Sequence, residues 1–414
     1  MRRLFVVALA LAFTPITTAQ QPSYELLLKG GHVIDPRNGL NAVRDVAVTG
    51  GKIAAVAQNI AASQAKQTVD VTGLYVTPGL IDIHVHVYTG EKRATYAGGD
   101  LSVWPDGWGP RSCTTTMADA GSSGWRTFED FKTRVIDRSV TRVVAFLNIV
   151  GLGMREGQLE QSLADMEVKQ TAATAIKYKG TIIGIKSAHY AGPEWTPYER
   201  AEEVGKMASI PVMVDFGSNQ KMGRTIMDLV TKYFRPGDIY THMYGGVRGE
   251  YDAAAKGPSA AMLAGRKRGV KFDVGHGGGS FRWEAAMPMI KAGFVPDSIS
   301  TDLHTSSMNG GMKTMTETMS KFLAAGQSIA DIIKWSTENP ANQIQLAELG
   351  HLSVGAGADI AVLRVEKGKF GFVDQNTTSI RVDGTERLSC EVTLRNGQVV
   401  YDLNGLTKTA YTAK

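Results

Sequence analysis

Between Leu80 and Thr301, eight short apolar runs of strand type recur, most of them separated by a helical stretch. No other feature of the chain limits its possible folds as much. The runs are Leu80–His86, Cys113–Ala118, Val143–Ile149, Ile182–Lys186, Val212–Phe216, Ile239–His242, Lys271–Val274 and Ser298–Thr301. The helical stretches are Phe128–Arg138, Leu159–Tyr178, Pro197–Met207 with Thr196 as N-cap, Arg224–Tyr233, Ser259–Arg268 and Glu284–Ala292. Alternating strands and helices over this length predict an α/β fold, a parallel sheet with helices outside. Eight such units predict a closed (β/α)8 TIM barrel. An open doubly wound sheet is the second reading, but no Gly-x-Gly-x-x-Gly follows an early strand.

The flanking segments read differently. Tyr24–Leu28, Asp45–Val48 and Lys52–Val56 are short strands, with turns at Lys29-Gly30-Gly31, Asp35-Pro36 and Gly50-Gly51. Helices are expected at Gly311–Phe322 and Ile329–Ser336, and Asn339-Pro340-Ala341 punctuates the chain after them. The β pattern then returns at Gly357–Leu363 and Val392–Tyr401, where Asn396-Gly397 signals a hairpin. The simplest packing joins both chain ends as one small β-sandwich, residues 20–76 and 346–414, beside a barrel of residues 77–345.

Residues 1–19 read as a secretory signal peptide. Arg2 and Arg3 precede an apolar run from Leu4 to Phe13, and Thr17-Thr18-Ala19 resembles a small-residue cleavage site. That run is too short to span a bilayer, so no stable membrane insertion is expected after cleavage, and the protein is expected to be periplasmic or secreted. Formal charge is +5, and loss of Arg2 and Arg3 leaves +3 (43 − 40); there is no long basic run, so no nucleic-acid partner is implied. The two cysteines, Cys113 and Cys390, fall in segments assigned to different domains and are expected to be free and buried. Homo-oligomerisation is left open.

Chemistry concentrates where the apolar runs end. His84 and His86, two residues apart on a strand, project to one face and form half of a metal site. Lys186, Asp215, His242 and Asp302 close the fourth, fifth, sixth and eighth runs. Active sites of this barrel gather at that end of the strands.

Gly79–His86 resembles the first-strand signature of the amidohydrolase superfamily. The resemblance continues in Gly184-Ile185-Lys186, Thr241-His242, Phe272–Phe281, Ser300–His304, Asn339-Pro340-Ala341 and Gly355–Ala361. Together these are similar to the dihydroorotase-like deacetylase branch of metallohydrolases.

The resemblance implies two divalent metal ions, Zn2+ or Mn2+. His84, His86 and Asp302 would hold the more buried one, and a carboxylated Lys186 would bridge the pair. An unmodified ammonium has donors only and cannot ligate. His242 would hold the second ion. The family places a histidine at the end of the fifth strand, where this chain has Asp215. A carboxylate still binds zinc but makes the position harder and favours manganese; a one-metal site is the alternative. Two divalent ions would yield a bridging hydroxide near neutral pH, with Asp302 accepting its proton and passing it to the leaving group. His276 in the Gly-rich loop, Arg248, Tyr190 and His304 are candidates for holding a small-molecule substrate. Trp104 and Trp108 are candidates for an apolar lid. The function expected is an exported hydrolase of an amide or ester, of deacetylase or acyl-acid type. Cyclic-amide hydrolysis, as in dihydroorotase and hydantoinase relatives, and a catalytically silent binding protein are the alternatives.

Overall fold

The computed structural model describes residues 23–89, 102–154, 160–217, 223–377 and 379–411; the expected signal peptide lies outside them. Seven strands form a parallel sheet: β6 (Leu80–Val85), β7 (Thr114–Gly124), β8 (Arg142–Asn148), β9 (Ile182–Ala188), β10 (Val212–Asp215), β11 (Ile239–Tyr240) and β14 (Lys271–Phe272). They lie side by side in chain order. A two-stranded excursion, β12 (Tyr251–Asp252) with β13 (Gly257–Pro258), interrupts only the chain. The eighth apolar run forms no named strand. The segment 298–303 makes isolated parallel bridges, Asp273 with Ser298 on one side and Val85 with Leu303 on the other. It thus touches both edges of the sheet.

The sequence pattern explains how the sheet buries itself. All six residues of β6 are buried. Ile81 and Ile83 join Ala118, Ala120, Val144, Phe146, Ile183, Met213 and Ile239 in one cluster, contributed by six successive strands. Leu80 and Val85 belong to the larger cluster shared with the helices. The helices fall near their expected places; Ile329–Ser336 has the expected bounds, whereas Leu159–Tyr178 shortens to a helix over Val168–Lys177. Phe128–Arg134 and Val168–Lys177 are two of them, and Ser259 caps Ala260–Lys267 by accepting from the Met262 N–H. Thr196 opens its helix rather than capping it, and a helix, Glu338–Gln343, runs through Asn339-Pro340-Ala341.

Both chain ends build one eight-stranded sheet. Its members are β1 (Tyr24–Asp35), β2 (Leu40–Thr49), β3 (Lys52–Ala57), β4 (Ala65–Asp70), β5 (Tyr75–Pro78), β15 (Ile360–Val373), β16 (Arg381–Arg395) and β17 (Gln398–Asp402). β5 pairs with β15, so the amino-terminal and carboxy-terminal parts share a hydrogen-bond ladder. They also share a core in which Leu28, Val46 and Val76 meet Ile360, Val362 and Val392. The Asn396-Gly397 hairpin is present, with both residues at positive φ. Lys29-Gly30-Gly31 is not a turn. It is a bulge within β1, where pairing with β2 shifts register after Leu28.

The expectation of free thiols is overturned. Cys113 and Cys390 form a disulfide with Cα atoms 5.4 Å apart. Assigning the two to separate units concealed their proximity. β16 lies against the entry to β7, where the Thr393 hydroxyl donates to the Pro110 carbonyl at 2.6 Å, and Cys113 and Cys390 share one core cluster.

Candidate metal centre

The carboxyl ends of the parallel strands surround a cavity of ≈ 190 Å³. His84, His86, Met154, Lys186, His189, Asp215, His242, Asp302 and His304 line it. All six residues expected as ligands are therefore in one place. Among the described residues, His84, His86 and Asp302 form the compact three-donor group, with donor atoms all within 4.8 Å of one another. His84 Nε2 and His86 Nε2 stand 3.5 and 3.3 Å from Asp302 Oδ1.

Backbone conformation aims several of these side chains. His242, Asp302 and His189 have φ of 67°, 50° and 55°. Non-glycine residues in the left-handed region cost roughly 1–2 kcal/mol each and persist where the surroundings enforce them, commonly at functional sites. Gly275, at φ 47°, passes directly behind the site. A Cβ there would meet Thr241 Oγ1 at 2.3 Å, His242 Nδ1 at 2.8 Å and His84 Nδ1 at 3.0 Å.

The histidines are oriented from behind. His84 Nδ1 donates to Thr241 Oγ1 at 2.8 Å, and that hydroxyl donates in turn to Asp273 Oδ2 at 2.8 Å. His86 Nδ1 meets Ser122 Oγ at 2.9 Å, a hydroxyl bonded to the buried Asp119. His242 Nδ1 donates to the Gly275 carbonyl at 2.6 Å. With Nδ1 carrying hydrogen, each ring can offer an Nε2 lone pair to an ion in the cavity. For His242 that lone pair faces Asp215 Oδ2 at 3.2 Å, and for His84 it faces Asp302 Oδ1. Such a contact needs either a proton on Nε2 or a cation between ring and carboxylate. The donor set thus fits divalent ions by its own hydrogen bonding, in the pattern by which outer partners orient metal-binding imidazoles. His304 is the opposite tautomer: its Nδ1 accepts from the Ser306 N–H at 3.2 Å, so Nε2 carries the hydrogen.

Lys186 is fully buried. Its Nζ lies 3.1 Å from His84 Nε2 and 3.8 Å from Met213 Sδ, and no described carboxylate forms an ion pair with it. Burial lowers its pKa, which Asp215 and Asp302 only partly restore. Burial raises Asp302, but His84 and His86 outweigh it and hold the carboxyl below its ordinary range. Burial likewise raises Asp215, yet His242, Arg248 and His189 keep it well below that range.

Three expected substrate contacts are not among the described residues lining the cavity. His276 is buried, stacked on Phe281 at 4.8 Å, with Lys321 Nζ donating to its Nε2 at 2.5 Å. Tyr190 donates to Glu194. Arg248 stands behind Asp215, its Nη2 3.4 Å from Oδ1 and its Nε donating to the Gly217 carbonyl. Trp108 packs into the core and Trp104 is exposed, so neither lies over the cavity as a described lid. Sequence reasoning passed over Thr241, Asp273, Ser122 and Glu160. Asp273 ends a strand just as Asp215 does, and that signal was readable.

Residues 281–400 match the amidohydrolase family. A deacetylase of Agrobacterium fabrum is 32% identical over 343 residues, covering 80% of this chain and 81% of that protein. The chain belongs to the amidohydrolase superfamily. A deacetylase of Enterococcus faecalis is 30% identical over 361 residues, covering 85% of the amidohydrolase described here and 93% of the relative. Among solved structures, an adenine deaminase superposes with a TM-score of 0.82 at 27% identity, covering 92% of this chain and all of that one. A dihydroorotase superposes with a TM-score of 0.78 at 25% identity, covering 91% and 99%. This amidohydrolase is a metal-dependent hydrolytic enzyme acting on C–N bonds.

Proposed function

We propose that this amidohydrolase is an exported deacylase that removes a small acyl group from an amide or ester. The observation that carries the reading is the buried group of His84, His86 and Asp302 beside a buried Lys186 that pairs with no described carboxylate. The similarity to proteins named deacetylases over most of the chain favours acyclic acyl compounds over the cyclic amides of the dihydroorotase neighbours. His84, His86, Lys186, Asp302, His242 and Asp215 would hold the metal, zinc or manganese. Bound there, it would acidify water and polarise the scissile carbonyl. A lowered lysine pKa raises the neutral amine fraction that can add carbon dioxide, which supports carboxylation of Lys186.

The side chains supply the rest. Asp302, held anionic, accepts a proton from the attacking water and delivers it to the departing nitrogen or oxygen. His304 offers Nε2–H at the cavity wall, 3.9 Å from Asp302 Oδ2, as a donor to a substrate oxygen. Burial lowers the His304 pKa and keeps it a neutral donor. Arg248 is already engaged with Asp215 and orients that carboxylate.

We read the seven parallel strands and the 298–303 segment as a closed (β/α)8 barrel over residues 77–345, with the chain-end sheet as a sandwich of residues 20–76 and 346–414. The two bridges from that segment to both sheet edges support closure. The disulfide supports export, since such bonds persist in oxidising compartments. Among the described residues no helix is long and apolar enough to cross a membrane.

The test is a panel of N-acyl and O-acyl acids beside cyclic imides, assayed with metal and bicarbonate. Turnover of acyclic acyl compounds, abolished in Asp302→Asn, is the expected result. Turnover confined to cyclic imides would replace the reading with that of a cyclic-amide hydrolase.

A further inference from the structure

The β15–β16 hairpin outgrows the sheet that carries it. β15 pairs with β5 only over Ile360–Leu363, while its pairing with β16 runs on to Val373 and Arg381. The outer half lies against the barrel helices. Phe372 and Leu388 join the core shared with them, and the Leu388 N–H donates to Ser320 Oγ at 2.9 Å. The base of the hairpin tip is fixed. Asp374 is buried, and its carboxylate accepts from the Gln375 and Ile380 N–H groups at 2.7 and 2.8 Å and from the Trp283 N–H at 3.1 Å. Trp283 Nε1 donates to the Phe372 carbonyl at 2.9 Å.

The tip meets two loops at the carboxyl-terminal end of the parallel sheet. The Asn376 N–H donates to the Gly278 carbonyl at 2.8 Å, and Asn376 Nδ2 donates to the Ser306 carbonyl at 2.7 Å. A carbonyl only accepts, so the amide nitrogen and not its oxygen faces Ser306. Both loops make room for the tip by lacking side chains. A Cβ on Gly310 would overlap Asn376 Oδ1, one on Gly278 would meet Asn376 Nδ2 at 2.7 Å, and one on Gly311 would meet the Asp374 carbonyl oxygen at 2.5 Å. None of these three glycines lies in the left-handed region, so the close approach of the tip, and not backbone conformation, calls for glycine here.

Ser306 is the residue that sets the His304 ring. Its N–H donates to His304 Nδ1 at 3.2 Å, which leaves the ring hydrogen on Nε2 at the cavity wall. Ser307 closes the same turn: its Oγ accepts from the His304 N–H at 3.0 Å and donates to the Asp302 carbonyl at 2.9 Å. We propose that Asn376 is a positioning residue of this amidohydrolase: it holds Ser306 from the carbonyl side so that His304 presents Nε2–H to a substrate oxygen. The proposal rests on the reading of His304 as a donor given above. It gives the long hairpin a task, since the chain-end sheet then frames a cavity whose metal-binding side chains come from the parallel strands.

The experiment follows the ring nitrogens of His304 by nuclear magnetic resonance. Full-length, Zn2+-loaded protein carries nitrogen-15 histidine and is held at about pH 8, above the ordinary imidazole pKa. The His304→Phe spectrum identifies the signal among the eight histidines. Wild type is expected to show Nε2 protonated and Nδ1 as an acceptor. Asn376→Ala is expected to lower the ratio of the Nε2–H to the Nδ1–H tautomer by roughly 2–10-fold, the weight of one neutral hydrogen bond, with zinc content and the other histidine signals unchanged. Asn376→Asp keeps the size but cannot donate to a carbonyl; it should match Asn376→Ala, and it decides the matter if that variant fails to fold by circular dichroism. In turnover, the loss of kcat/KM caused by Asn376→Ala should vanish in a His304→Phe background. An unchanged tautomer ratio in the Asn376 variants, or an equal turnover loss in both backgrounds, overturns the proposal and leaves the donor reading of His304 intact. Hydrogen on His304 Nδ1 in wild type overturns both.

Discussion

Replacing Gly275 by alanine tests how the site is held from behind. The alanine would sit at φ 47° with its Cβ 2.3 Å from Thr241 Oγ1. The backbone conformation alone costs roughly 1–2 kcal/mol. The contact is roughly 1 Å shorter than a carbon and an oxygen tolerate, so Thr241 must move. It is pinned on both sides, to His84 Nδ1 and to Asp273 Oδ2, each at 2.8 Å. Losing the bond to a charged carboxylate costs about 1.5–3 kcal/mol and the neutral one about 1 kcal/mol. A destabilisation on the order of 4 kcal/mol follows. Metal affinity should fall by roughly 10–100-fold, because His84 loses its orienting partner. Urea unfolding of the metal-free protein reads the first quantity and metal titration the second. Gly279→Ala is the control, since a Cβ there meets nothing within 4 Å. Gly275→Ala matching that control in both measurements would refute the Thr241 relay.

Three other outcomes are expected. The double variant Cys113→Ser, Cys390→Ser frees a loop of 277 residues; chain entropy sets the loss at up to ~5 kcal/mol, and an unchanged melting temperature would deny the crosslink any role. Burial pushes the Lys321 pKa down to about 7, only partly offset by Glu317. The folded protein therefore sheds this proton near pH 7 while the unfolded chain keeps it to about pH 10.4, so stability should rise with pH across that window by up to ~1.4 kcal/mol per unit. Lys321→Met should lose that slope, and parallel stability curves for the two proteins from pH 7 to 9 would contradict the assignment. His304→Phe should lower kcat with metal content unchanged, because this ring offers the cavity an N–H rather than a lone pair; loss of bound metal would show it to be a ligand.

The seven parallel strands were legible as buried apolar runs, some closed by a polar residue, as in Val212–Asp215. The same runs pointed to His84, Lys186 and Asp215, which lie in the carboxyl-terminal halves of β6, β9 and β10. Residues acting through the tertiary fold were harder to read. The His189 loop owes its position to Glu160, Gln161 and Arg224, at separations that no local pattern reveals. Cys113 and Cys390 failed for a related reason: the pairing depends on β16 lying against the entry to β7, and domain boundaries drawn from composition say nothing about which surfaces meet. His276 was assigned to the substrate on its Gly-rich setting, but packing against Phe281 and Lys321 carries it into the core.

The central claim is that His84, His86 and Asp302, with Lys186 behind them, hold a divalent ion. Anomalous diffraction from crystals grown with Zn2+ and bicarbonate tests it directly. The account predicts an ion between the two imidazoles and Asp302, with added density on Lys186 Nζ. An amidohydrolase active on acyl compounds whose maps are blank at that position would contradict it.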